Sequence, residues 1–118
     1  MIVSCPYPAK ALWPNGRPHW ATKAREVKKH RGWARYAALE ALQSQNMIWL
    51  GEGPIPVAIR VHGKPKGPLP DKDGVVGAAK SLIDGISDAL GINDRHFAAP
   101  TVEFAANRTS RFVIEVGT

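Results

Sequence analysis

Hydrophobic and polar positions along the 118 residues follow two different periods, and the clearer of the two predicts a helix. Between residues 74 and 90, apolar side chains recur at spacings of three and four, which gives a helix one buried face. They are Val75, Ala78, Ala79, Leu82, Ile83, Ile86, Ala89 and Leu90. Asp73 stands where a side-chain oxygen caps the first turn, and Gly91 stands where a left-handed residue closes the last.

The other patterns predict four strands and a second helix. Residues 1–5 are β-prone and stop at a proline, whereas residues 22–45 are rich in helix formers. Alternating apolar positions mark strands at 55–62, 101–106 and 111–116. We therefore predict an α/β (α+β) single domain over residues 1–118, in the order β-α-β-α-β-β, with a mixed sheet of about four strands. The last two strands are expected to form a hairpin, and residues 48–56 a loop.

Composition favours a folded globular protein. Hydrophobic residues make up 44% of the chain and there are four Trp, which is unlike a disordered segment. The single cysteine, Cys5, allows no internal disulfide and is expected to be a small buried apolar residue. No apolar run reaches membrane-spanning length, and the N-terminus lacks a basic segment followed by an apolar one. We expect a soluble, cytoplasmic protein with no membrane association.

The charge predicts a polyanionic partner, with nucleic acid as the first candidate. The formal net charge is +6 and the pI is about 9.8. Residues 10–35 carry eight basic side chains against one acid, Glu26. The basic residues are Lys10, Arg17, Lys23, Arg25, Lys28, Lys29, Arg31 and Arg35. Such a density predicts phosphate contacts that weaken steeply with salt, although a solvated helix face is the simpler alternative.

All five aspartates of the chain fall within residues 65–97. At about 100° per residue, four polar residues share the helix face opposite the apolar stripe. They are Asp73, Lys80, Asp84 and Asp88. Asp71 precedes the helix and Asp94 follows it, so a chain that turns back brings Asp71, Asp73 and Asp94 together. Three carboxylates beside basic residues would suit a hard cation such as Mg²⁺.

Each of these residues also has a simpler explanation. Asp73 has the position of a helix N-cap, a role that a single Asp before a helix fills in many proteins without binding a ligand. Asp94 belongs to an Asn-Asp turn, and Asp84 and Asp88 suit a solvated helix face. Lys80 has an i, i+4 ion-pair partner in Asp84. Spacing alone leaves both explanations open.

The arrangement resembles the RusA-type Holliday-junction resolvases, small endonucleases of phages and bacteria. The resemblance rests on D-x-D at the helix start, a Lys on that helix, the phrase LIDGISDALGIND and its terminal acid. It extends over nearly the whole chain, since a Pro-Tyr-Pro turn follows the first strand and a loop then carries Asn15 and His19. It implies an endonuclease that needs Mg²⁺, with Mn²⁺ as a substitute, and resolves four-way DNA junctions as a homodimer. The cytoplasm of a bacterial or phage-infected cell is the implied location.

The roles of the family's residues are assigned to the residues of this chain that match their positions. The resemblance implies that Asp71, Asp73 and Asp94 ligate the metal and that Lys80 orients water or balances charge. The residues expected to face DNA are Asn15, Arg17, His19, Lys64, Lys66, Lys72 and Arg95. For Asn15, a simple Asn-Gly turn is an equal alternative. Asp84 and Asp88 are assigned to the scaffold.

Two departures from the family pattern leave other functions open. Gly74 follows Asp73 where the family commonly has Asn, and Lys80 lies seven residues after Asp73 where some members have four. A DNA-binding relative with weak or no catalysis is therefore the alternative prediction. A protein that binds another acidic partner, such as RNA, is a third, based on charge alone.

Overall fold

The predicted fold class and element order are confirmed in a computed structural model that describes residues 1–15, 17–47, 49, 51 and 53–117. Within these ranges the elements are β1 (Ile2–Pro6), α1 (Trp20–Ala41), β2 (Val57–His62), α2 (Lys72–Leu90), β3 (Thr101–Phe104) and β4 (Arg111–Val116). Two short 3-10 turns, at Lys10–Leu12 and Asp94–His96, were not predicted. Ile48, Leu50 and Glu52 of the predicted loop, and Gly16 of the Asn-Gly turn, lie outside the described residues.

The sheet is mixed, in the order β1-β4-β2-β3. β4 is antiparallel to both β1 and β2, while β2 and β3 are parallel and joined through α2. The predicted hairpin between β3 and β4 is therefore wrong. β4 instead lies between β1 and β2, where its Phe112, Ile114 and Val116 are completely buried. β3 pairs with β2 alone at the edge of the sheet and has no fully buried residue.

The core lies between one face of the sheet and the two helices. Strand residues at alternate positions, such as Val3, Ile59 and Ile114, are fully buried and meet the apolar stripe of α2. Six of the eight predicted stripe residues are buried, and Ala89 and Leu90 pack at the margin. The period-three-and-four pattern therefore identified the helix face correctly.

The start of α2 differs from the prediction. Asp71, not Asp73, is the N-cap: its Oδ1 accepts a hydrogen bond from the Gly74 N–H at 2.6 Å. The helix begins at Lys72, two residues earlier than predicted, so Asp73 lies in the first turn. A Cβ at position 74 would stand 2.8 Å from this Asp71 oxygen, which explains a glycine there. Gly91 ends the helix in the left-handed conformation, φ 66°, as predicted.

The two helices touch most closely at Gly85. A Cβ added there would stand 2.9 Å from both the Ala34 Cβ and the Arg35 N, and still closer to the Arg31 carbonyl oxygen. Ala34 itself is fully buried, so small residues on both helices make the close contact possible. No helix in the described part of the chain is long and apolar enough to cross a bilayer.

Candidate functional site

Lys80 links two aspartates on the exposed face of α2. Its Nζ donates to Asp84 Oδ1 and to Asp94 Oδ2, each at 3.0 Å. The i, i+4 pair with Asp84 was one of the predicted explanations for Lys80, and that contact is confirmed. Asp94 lies fourteen residues after Lys80 in sequence, so its arrival at the same ammonium depends on the fold of the intervening turn.

That turn folds back against α2. After Gly91, the Ser87 hydroxyl donates to the Ile92 carbonyl, which holds the departing chain against the last helical turn. The Asn93 Oδ1 then accepts from the Arg95 N–H at 3.0 Å and begins the 3-10 turn that carries Asp94. The chain therefore turns back along α2 as expected. Asp94 contacts Lys80, however, and not Asp71 or Asp73 at the start of the helix.

Lys80, Asp84 and Asp94 line an open cleft of about 530 Å³ between the helices, which we call the Lys80 cleft. Arg31 of α1 and Asp88 of α2 form its other side. The five charged side chains stand at its mouth or walls, and none is fully buried. The cleft is therefore a polar surface site that is accessible to a large ligand.

Hydrogen bonding fixes the charge states in the cleft. Asp94 and Asp84, as hydrogen-bond acceptors, raise the pKa of Lys80 above its ordinary value, so it stays protonated at neutral pH. The Lys80 ammonium in turn lowers the pKa of Asp94 below its usual range. At neutral pH Lys80 is therefore a cation and not a general base, and Asp94 is an anion.

Arg31 and Asp88 join the two helices beside this cation. The guanidinium donates from Nε at 2.6 Å to Asp88 Oδ2 and from Nη2 at 2.8 Å to Oδ1, a bidentate pair. The hydrogen bonds lower the pKa of Asp88 and raise that of Arg31. Asp88 therefore holds α2 to α1, in agreement with its expected place in the scaffold.

This pair predicts a pH-dependent contribution to stability. Because the folded-state pKa of Asp88 is lowered, the contribution is complete above the ordinary carboxyl pKa of about 3.9 and is lost as pH falls below it. Asp88→Asn should lower the free energy of unfolding by about 0.5–1 kcal/mol at pH 7, a value reduced for solvent exposure. Urea unfolding of both proteins between pH 7 and pH 3 measures it. If the difference in the free energy of unfolding between the two proteins stayed constant down to pH 3, the lowered pKa of Asp88 would be contradicted.

The predicted three-carboxylate group is not assembled in this chain. Asp71 caps α2, and Asp73 lies in its first turn, seven residues before Lys80 and hence about 10 Å from it along the helix axis. Among the described residues, which include Asp71, Asp73 and Asp94, no three acidic, His or Cys side chains form a group that could hold a metal ion. The metal-ligand assignment of these three residues stays a prediction.

Asp84, which the sequence assigned to the scaffold, also lies at the Lys80 cleft. It shares the Lys80 ammonium with Asp94 and lies next to that carboxylate. The i, i+4 spacing to Lys80 was the available signal. Its approach to Asp94 could not be read from spacing, because it depends on the turn after Gly91.

The predicted DNA-facing side chains are all exposed or half-exposed, as contact with a ligand requires. Asn15 and Arg17 are exposed, and His19 caps α1, its Nδ1 accepting from the Ala21 N–H at 3.2 Å. The others, Lys64, Lys66, Lys72 and Arg95, are exposed as well. Lys72 lies in the first turn of α2, and Arg95 lies in the 3-10 turn that carries Asp94. No contact in the structure identifies their ligand, so their role stays a prediction.

Cys5 is not a nucleophile. It is completely buried in the sheet, and burial raises the pKa of its thiol to about 12. The thiolate needed for attack is therefore absent at neutral pH. This agrees with the prediction of a small buried residue.

No family model matches this chain, and comparison with known proteins finds a relative over nearly its whole length. A protein of Xylella fastidiosa (strain Temecula1 / ATCC 700964), described as an uncharacterized protein, is 36% identical over 115 residues. The match covers 97% of this chain and 74% of the other.

Proposed function

We propose that this chain, which belongs to the same family as the uncharacterized Xylella fastidiosa protein, is a Mg²⁺-dependent DNA endonuclease that resolves four-way junctions. The observation that carries the proposal is the Lys80 cleft, where two adjacent carboxylates and a fixed cation stand beside a basic helix. Carboxylates in a basic surround are the groups that metal-assisted phosphodiester hydrolysis requires. The resemblance to RusA-type resolvases supports the choice of substrate.

The donor set of the cleft fits a magnesium ion in its chemistry. Mg²⁺ is commonly held by one or two carboxylates together with waters and substrate phosphates. Asp84 and Asp94 already place oxygens around one cationic group, so they are the residues that would hold the ion. Asp71 and Asp73 remain predicted ligands. Bound there, Mg²⁺ would neutralise phosphate charge and supply an activated water.

The chain's own side chains perform the remaining tasks. Lys80, held protonated by its carboxylate partners, balances negative charge that develops on the phosphate or on the leaving 3′-oxygen. Arg95, exposed directly after Asp94, and Lys72, exposed at the start of α2, hold phosphates on either side. The bidentate Arg31–Asp88 pair keeps the two walls of the cleft at a fixed separation.

A four-way junction needs two matched cuts, which a twofold homodimer with one cleft per subunit would supply. The dimer is proposed from this symmetry and from the resemblance. Such an enzyme would act on DNA in the cytoplasm of a bacterial or phage-infected cell. The single cysteine, buried and with a raised thiol pKa, is compatible with a reducing compartment.

A second candidate function is DNA binding without efficient cleavage. It is favoured by the position of the Lys80 ammonium, which lies between Asp84 and Asp94 and neutralises part of the charge that would attract a metal. Gly74 also favours this candidate, because its N–H donates to Asp71 and position 74 has no amide side chain. In this alternative the cleft is a charged junction-binding surface.

Incubation of the protein with an end-labelled four-way junction separates the two candidates. The endonuclease proposal expects paired cuts that require a divalent cation. Junction binding without product, across Mg²⁺ and Mn²⁺ titrations, would favour the second candidate and eliminate the first.

A further inference from the structure

The N-terminal half of α1 carries an apolar stripe that the proposed chemistry does not use. Trp20, whose side chain is 76% exposed, begins a groove of about 530 Å³ on the helix surface. The groove is lined by Trp20, Lys23, Ala24, Val27, Lys28 and Arg31. These positions follow helical spacing, so they form one continuous strip along one side of α1.

The strip leads into the Lys80 cleft. Arg31 lines both the groove and the cleft, since its guanidinium is turned toward Asp88. Lys23 and Val27 also border a small crevice together with Lys80 and Asp84. Trp20 stands at the far end of the groove, eleven residues before Arg31 and hence about 16 Å from it along the helix axis. A strand with a phosphate in the cleft therefore passes over the groove and reaches Trp20 a few nucleotides further along.

The groove combines a flat aromatic surface with flanking cations. Lys23 and Lys28 are exposed on its two edges, and the Trp20 indole and the Val27 side chain form its floor. The His19 ring lies 5.5 Å from the Trp20 ring, tilted by 33°, and supports one side of the indole. Aromatic surfaces bordered by basic side chains bind bases by stacking while the cations hold the backbone.

Resting on the proposed function for its substrate, we infer that Trp20 and the groove behind it hold an unpaired base of the DNA strand whose phosphate lies in the Lys80 cleft. A branch point supplies such a base more readily than a continuous duplex, because its terminal pairs are the easiest to unstack. Trp20 is then a specificity-determining residue for branched DNA, and Lys23 and Lys28 are its phosphate contacts.

The test is a binding measurement in EDTA, so it does not depend on cleavage. Fluorescence anisotropy compares a short oligothymidylate with an abasic oligomer of the same length and phosphate number. Wild-type protein should prefer the oligothymidylate by about tenfold, and Trp20→Ala should lose most of that preference. Trp20→Phe should keep much of it, and the slope of affinity against salt should be unchanged in both variants.

Tyr36→Ala is the matched control. Tyr36 is 73% exposed on the same helix but faces about 160° away from Trp20. The Tyr36→Ala variant should keep the wild-type preference for oligothymidylate over the abasic oligomer. Equal wild-type affinities for the two oligomers, or a preference that survives Trp20→Ala, would overturn the inference even for a protein that cuts junctions. A protein that cuts nothing but shows the Trp20-dependent preference would support the groove and reject the nuclease.

Discussion

Gly85→Ala should lower the free energy of unfolding by about 3 kcal/mol, which for a chain of this size lowers the melting temperature by about 10 °C. The added methyl group would stand 2.9 Å from the Ala34 Cβ and the Arg35 N, and closer still to the Arg31 carbonyl oxygen. Two of these neighbours are backbone atoms, which a rotamer change cannot move. The helices must separate, and the contacts that both make with the sheet weaken with them.

Gly32→Ala is the control for this substitution. Gly32 also lies inside a helix, but a Cβ there would meet nothing within 4 Å. Alanine at this position should therefore raise the free energy of unfolding by about 0.5–1 kcal/mol, through helix propensity alone. Urea unfolding of both variants measures the two effects. Similar stabilities for Gly85→Ala and wild type would show that the two helices are less tightly packed than the structure indicates.

Asp94→Asn should reduce junction cleavage by about 100-fold or more while leaving junction binding nearly intact. The substitution keeps the shape of the side chain but removes the charge that binds the Lys80 ammonium and, in the proposal, the metal. Single-turnover cleavage gives the rate, and anisotropy in EDTA gives the affinity. A variant that still cuts within a few fold of wild type would exclude Asp94 from the chemistry.

Glu103→Gln provides the matched charge control for Asp94→Asn. Glu103 is an exposed carboxylate on β3, paired with Arg60 at 3.4 Å on the sheet face that turns away from the helices. The Glu103→Gln substitution removes one negative charge, as Asp94→Asn does, but at a distance from the Lys80 cleft. Cleavage should be unchanged, which separates a local role of Asp94 from a general effect of net charge.

The sequence predicted the elements of this fold better than their pairing. The spacing of the α2 stripe identified the buried helix face, because burial on one side of a helix leaves a period in the sequence. The alternation in 111–116 likewise identified β4. Alternation carries no information about which strand lies alongside. The sequence therefore predicted β3 as the partner of β4, whereas β4 pairs with β1 and β2.

The candidate site was predicted in part for a similar reason. The shared polar face of α2 follows from helical geometry, and the pairing of Lys80 with Asp84 follows from the i, i+4 spacing. The position of Asp94 depends on how far the chain returns after Gly91, which tertiary packing decides. Arg31 was placed only within a basic region, because its bidentate bond to Asp88 joins residues 57 apart in sequence.

Cleavage of a synthetic four-way junction by the wild-type protein over a Mg²⁺ titration tests the central proposal most directly. A linear duplex of the same sequence serves as the control substrate. We expect paired cuts in the junction, with a rate that rises with Mg²⁺ and falls to background in EDTA, and little cutting of the duplex. Equal cleavage in EDTA, or a bound junction that stays uncut at every Mg²⁺ and Mn²⁺ concentration, would contradict the proposal that the Lys80 cleft is a metal-dependent nuclease site.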